Sequence, residues 1–244
     1  MRDSLLGIAA SLALVGQTHP KYLGVMINLS TTLQSLPLLL DAALITISIS
    51  LVTLVFGFLL GIVVCAMRLS ASPLLRTLAL IHVRFFRGVP LLVQLLMLYY
   101  LLPSIGLNLS SMAAAIIAVS ICESAYVGEI LRGGFLGIAP GQLEAARMLG
   151  LGRISTVLRI QLPQAMRLSV SSLTSEMIIL IKVSSLVSVI GVTELTRTAQ
   201  NVAASTYRPL ESYFMAGLIY FVINGIVAWL GMLGEKRLSK AHQS

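Results

Sequence analysis

Charge is scarce in this 244-residue chain: only 11% of its residues are Asp, Glu, Lys or Arg, against roughly a quarter in a soluble domain. A chain that is 57% hydrophobic, with a mean hydropathy of +0.95, has too little polar surface to cover a water-soluble globule. Cysteine is nearly absent. Cys65 and Cys122 lie far apart in apolar runs, which excludes a disulfide or thiolate-metal framework and leaves them as packing residues. His19, His82 and His242 are scattered, with no two at ligand spacing, so a metal site has no support. No Gly-x-x-x-x-Gly-Lys-Ser/Thr run occurs to cradle ATP phosphates. No His-Glu-x-x-His or Gly-x-Ser-x-Gly constellation occurs either, which removes the common membrane protease and hydrolase chemistries. The net charge of +8 raises nucleic acid as a partner, but aromatics are 6% and the basic residues cluster at the ends of apolar spans, not on a stacking face.

What the chain has in quantity is long apolar runs, and about 20 such residues cross a bilayer. Leu39–Met67 supplies a first span, ending at Arg68. Thr77–Arg87 is mixed, carries His82, Arg84 and Arg87, and is expected along the interface. Gly88–Leu102 continues inward and Pro103–Asn108 reads as a turn. Ser111–Leu131 is a third span closed by Arg132, Leu168–Val192 a fourth and Tyr213–Leu233 a fifth. The expected fold is all-α: a polytopic membrane protein of about five transmembrane helices, with a membrane domain over residues 37–238 and a short tail over 239–244. Leu5–Gly16, within the leader 1–36, is apolar but too short to span. It reads as a signal-like segment behind Arg2, as an interfacial helix, or as sequence upstream of a start at Met26.

Arg68, Arg76, Arg84 and Arg87 flank the first connection. Arg132, Arg147, Arg153, Arg159 and Arg167 flank the second, and Lys236, Arg237 and Lys240 lie on the tail. The opposite side keeps Arg2, Lys21, Arg197 and Arg208, with Glu194 and Glu211 nearby. The bias predicts that the second connection and the C-terminus face the cytoplasm and the N-terminus the outside.

That second connection carries the most information. Pro140 stands where a helix begins, a position that tolerates a missing N–H. Gly141-Gln142-Leu143-Glu144-Ala145-Ala146-Arg147-Met148-Leu149 follows, and Gly150 and Gly152 are expected to break the helix. A second short helix places Ile154, Val157, Leu158 and Gln161 at helical spacing, with Leu162-Pro163 as its expected end. A helix–turn–helix bar at a membrane surface is a docking surface for a partner.

The spacing of Glu144-Ala145-Ala146, Gly150, Ile160 and Leu162-Pro163 resembles the Glu-Ala-Ala loop of the membrane subunits of binding-protein-dependent ABC importers, matching every element of that pattern. Further segments resemble one branch of this family, the polar amino acid permeases. They are Phe85-Phe86-Arg87-Gly88-Val89-Pro90-Leu91-Leu92-Val93-Gln94, Ala125-Tyr126-Val127-Gly128-Glu129-Ile130-Leu131-Arg132-Gly133-Gly134, and Lys182-Val183-Ser184-Ser185-Leu186 with Glu194-Leu195 after it. Val183 and Ser184 depart from the Lys-Asp-Thr-Ser-Leu of that branch. The resemblance implies a permease subunit that passes polar amino acids, or related compounds such as opines, across the bacterial inner membrane. It implies a periplasmic or extracellular solute-binding protein and a second permease copy or a related permease. It also implies a dimer of ATP-binding subunits, docked on the loop, that binds ATP and Mg; this chain itself binds no cofactor.

Several ionisable residues stand inside apolar runs. Glu129 and Arg132 share a helix face and can pair. Glu123, Glu176 and Lys182 lie deep in spans, where a charge usually faces a bundle interior or a water-filled path. Lys182 with Ser184 and Ser185 can hold a carboxylate, and Glu176 or Glu123 an ammonium group; the other reading of all five is interhelical hydrogen bonding. Lys182 is expected ~20 Å along the fourth span, with Ser185 on its face and Ser184 round the helix. The competing function is a secondary transporter or channel on an ion gradient, with Glu123, Glu176 and Lys182 as a charge relay, although five spans do not divide into two inverted repeats.

Overall fold

The computed structural model describes residues 29–240. Leu5–Gly16, His19, Met26 and His242 lie outside the described residues. Nine α-helices are found among those residues: α1 Leu29–Arg68, α2 Pro73–Gly88, α3 Leu91–Ser104, α4 Ser111–Leu136, α5 Pro140–Met148, α6 Arg153–Thr156, α7 Leu162–Val183, α8 Leu195–Thr206 and α9 Pro209–Lys240. Val157–Gln161 is a π turn, and Ser184–Ile190 is a 3₁₀ helix.

Four stretches are long and apolar enough to cross a membrane: Gln34–Arg68, Ser111–Leu136, Arg153–Ile190 and Pro209–Arg237. The pair α2 and α3 makes a fifth if its 108° bend is counted within one broken span. The expected interfacial segment and its inward continuation are therefore two arms of one bent unit. Gly88-Val89-Pro90 makes the corner, because a residue before proline is driven from the α region and Pro90 cannot continue the ladder of α2. The Gln94 side-chain nitrogen, buried in the bend, donates to the carbonyls of Val89 at 2.7 Å and Phe86 at 3.0 Å, satisfying acceptors that the end of α2 leaves open.

α4 is the hub. It packs on α1, α7, α3 and α2, and 67% of its most apolar window is buried. The close fit with α1 comes from glycines. A Cβ at Gly57 would stand 2.6 Å from Glu123 Cγ, and one at Gly61 2.6 Å from Val127 Cγ1. Gly57 and Gly61 share a face of α1 at the small-xxx-small spacing that lets membrane helices approach backbone to backbone. Cys65 and Cys122 are free and buried, as their apolar settings predicted. Ile49, Leu95, Val119, Leu180 and Val187 form the largest core cluster, joining α1, α3, α4 and α7. α9 contrasts with α4: only 6% of its apolar window is covered by the other described residues.

Three sequence-based boundaries shift. The third span does not close at Arg132 but runs to Leu136, and within that extra turn Gly134 lets α4 sit against the backbone of Ala165 on α7. Leu162-Pro163 does not end a helix. The rod continues from Arg153 to Ile190, so the fourth span begins well before Leu168. The π turn explains this: the Leu162 N–H reaches back to the Val157 carbonyl, five residues away, and the ladder is opened where Pro163 has no N–H to give and its ring would press on the Arg159 carbonyl. At its other end this span is finished by the 3₁₀ segment and by Gly191, whose φ of 85° only glycine adopts without strain.

Candidate coupling loop and substrate path

α5 and α6 form the anticipated bar. Pro140 occupies the first turn of α5. At its far end Gly150 has φ +69°, the Gly150 N–H donates to the Arg147 carbonyl at 2.9 Å, and the Leu151 N–H to the Ala146 carbonyl at 3.1 Å. This is the left-handed glycine cap that closes a helix by satisfying its last acceptors. Gly152 departs from expectation: its φ of −65° is open to any residue, so Gly150 alone makes the break. Ala146 anchors the bar at 1% exposure, while Gly141, Gln142, Glu144 and Ala145 face outward. Around the turn, Met148 (89%), Leu149 (77%) and Ile154 (76%) stand exposed, an apolar knuckle with no cover from the described residues. Ile160 is half-buried in the π turn, and Leu162 and Pro163 are exposed on the rod beyond it.

Above the loop, the expected Glu129–Arg132 pair is present at 2.7 Å. It has a third member that sequence did not predict: Arg68, the last residue of α1, donates from Nε to Glu129 Oε1 at 2.9 Å. One carboxylate thus ties the end of α1 to α4.

Deeper in the bundle, Glu123 is 4% exposed, and its Oε1 has no hydrogen-bond partner among the described residues. Glu176 is half-buried on α7, within electrostatic reach of both Glu123 and Arg87. Arg87, at the α2–α3 corner, lies over the Tyr126 ring at 5.3 Å. The corner therefore carries a cation to the level of the two acids. His82 Nε2 and Ser124 Oγ share a hydrogen bond of 2.9 Å across the α2–α4 contact.

The three residues near the end of α7 point in different directions. Ser184 is buried, accepts from Ser50 Oγ of α1 at 3.3 Å and donates to the Ile181 carbonyl. Its hydroxyl belongs to the α1–α7 contact. Lys182 is exposed in the last turn of α7, and Ser185, half-buried, donates to the Lys182 carbonyl at 2.7 Å.

A second buried acid was missed as such. Glu194, noted in the sequence only beside the outer-side charges and in Glu194-Leu195, is 0% exposed and caps α8 through the N–H groups of Thr196 and Arg197, at 3.0 and 2.8 Å. Thr46 of α1 and Tyr220 of α9 also donate to it. Burial pushes its carboxyl above the ordinary carboxylate range, and these four donors pull it back. Only the cap half of this arrangement, an acid just before a helix, is visible in sequence.

The family described as the inner membrane component of binding-protein-dependent transport systems matches residues 54–240, a stretch that holds the bar, the π turn and the bent pair. The chain belongs to that family. Among curated relatives, this permease is 35% identical over 213 residues to the arginine transport system permease protein of Bacillus subtilis, covering 87% of this chain and 97% of the relative. It is 34% identical over 218 residues to the nopaline transport system permease protein of Agrobacterium fabrum, covering 85% and 90%. Among solved structures, one titled as an amino acid ABC transporter with histidines superposes with a TM-score of 0.82 at 34% identity, over 87% of the permease and 100% of that chain. A methionine ABC transporter in inward-facing form shares the fold at 21% identity, with a TM-score of 0.72 over 84% and 98%. The permease is thus a multi-pass membrane subunit of an ABC importer, a family whose members work with ATPase and binding-protein partners.

Proposed function

We infer that this permease moves polar amino acids or related compounds such as opines inward across the bacterial inner membrane. ATP and Mg are bound by a separate dimer of ATP-binding subunits, and the permease performs no hydrolysis. The supporting observation is the knuckle of Met148, Leu149 and Ile154 around the Gly150 turn, an exposed apolar tip on a rigid bar with an unbroken helical connection to the span that carries Glu176. Such a tip fits a groove on the ATPase. A second copy, or a related permease, fits the uncovered length of α9, and the solute-binding protein fits the side opposite the bar, where Arg197 and Arg208 lie.

Glu123 and Glu176 offer negative charge to a substrate ammonium group, and Arg87 and Lys182 positive charge to its carboxylate, with Ser185 beside Lys182. Ser184 serves packing. Reconstitution of the permease with its ATPase and binding protein in vesicles tests this reading. Uptake of radiolabelled amino acids should require both partners and ATP on the bar side. Uptake driven by an ion gradient without ATP would favour the secondary-transporter reading and end this one.

A further inference from the structure

Beneath the bar lies a cavity of about 1450 Å³, walled by the last turns of α1 and α4, by the bar and by the start of the Arg153–Ile190 rod. Part of its wall is apolar: Phe58 and Ile62 of α1, Phe135 of α4 and Met166 of α7. Arg147 and Arg153, from the two arms of the bar, line its other end. Both are exposed, and neither makes an ion pair among the described residues. Arg68 and Arg132, at the nearby helix ends, are by contrast held by Glu129.

We propose that this cavity binds an anionic phospholipid of the leaflet on the bar side, one acyl chain against Phe58, Ile62, Phe135 and Met166 and the phosphate between Arg147 and Arg153. Two observations select a lipid over a protein segment. From Arg68, at the basic boundary of α1, to Phe58 is about ten residues, or ~15 Å of helix, which is the depth of one leaflet of a ~30 Å hydrocarbon core. Two free guanidinium groups at the headgroup end match a phosphate in charge, as basic pockets between membrane helices do. The proposal rests on the bar facing the cytoplasmic leaflet, where anionic lipids are found. It makes the lipid a wall of the bar itself, so that leaflet composition sets how firmly the bar is seated.

Native mass spectrometry of the intact permease–ATPase complex, titrated with phosphatidylglycerol or phosphatidylcholine of equal chain length, tests it. Phosphatidylglycerol should bind roughly tenfold or more tightly than phosphatidylcholine, and that preference should disappear when Arg147→Gln and Arg153→Gln are combined. Ala66, exposed into the cavity, offers a second arm: Ala66→Trp sets an indole against the acyl-chain wall and should weaken both lipids severalfold. Equal affinity for the two lipids, a preference that survives the double substitution, or undiminished lipid binding in Ala66→Trp each overturns the proposal. So does a cross-link from Ala66→Cys to a second copy or to the ATPase, since a protein would then be the occupant. Lipid binding is read without transport, so a complex that binds lipid but takes up no amino acid would sink the proposed function and leave this inference standing.

Discussion

Tyr220 donates its hydroxyl to Glu194 at 2.9 Å, joining the long uncovered helix α9 to the cap of α8. The same hydroxyl meets Thr196 Oγ1 at 3.0 Å, so one phenol serves two groups of the short helix. Interhelical hydrogen bonds in membranes contribute ~1–2 kcal/mol at most. Tyr220→Phe should lower the thermal midpoint of the purified complex by a few degrees, whereas Tyr213→Phe, at an exposed position of α9, should leave it in place. Equal midpoints for the two variants would remove the network from the account of stability.

The α1–α4 contact makes a sharper demand. Gly61→Ala places a methyl 2.6 Å from Val127 Cγ1, a distance no packed Cβ tolerates, and the helices must separate. Overpacking of this kind costs about 1–3 kcal/mol. Gly133→Ala, in the same bundle with nothing within 4 Å, should be tolerated. Fluorescence-detected gel filtration after a heat step would show the difference, and a Gly61→Ala protein as heat-resistant as Gly133→Ala would contradict the packing described.

Within the bar the two glycines should behave oppositely. Gly150→Val forces a β-branched residue to φ +69°, a strain of about 1–3 kcal/mol that realigns the two short helices. ATP-driven uptake should collapse while membrane insertion is unchanged. Gly152→Ala, at an ordinary φ of −65° and in open space, should transport normally. Normal coupling of hydrolysis to uptake in Gly150→Val would refute the role given to this turn.

Lys182→Met keeps side-chain length and removes the charge. If Lys182 meets the substrate carboxylate, the complex assembles with intact basal ATPase activity and loses uptake of carboxylate-bearing substrates. Failure to assemble would make Lys182 a structural residue, and unchanged uptake would give it neither role.

The spans were readable because hydrocarbon imposes a length of about 20 apolar residues, and the Gly150 break was readable because few residues accept a left-handed turn. Other features depend on partners that no local pattern names. Glu194 resembles a surface acid until Thr46 and Tyr220, 148 and 26 residues away, are brought to it. Arg68 looks like a simple span terminator, yet it completes the Glu129 pair from 61 residues away. Leu162-Pro163 misled for a different reason. Proline ends a helix in isolation, but a five-residue turn just ahead of it removes the conflict, and whether a chain opens such a turn depends on the packing behind it. The Gly57–Gly61 spacing was present in sequence and is a recognised signal for close helix approach.

The π turn also decides what kind of mechanical element the bar is. A loop between bar and span would behave as a slack tether and dissipate any displacement among its torsions. Here the backbone from Arg153 to Ile190 is one continuous helical rod, with a single loosened turn beside Pro163. From Arg153 to Glu176 is ~35 Å of rod. In the coupling proposed above, a shove on the knuckle travels as the swing of a lever whose fulcrum is the loosened turn, and Glu176 rides on its far arm.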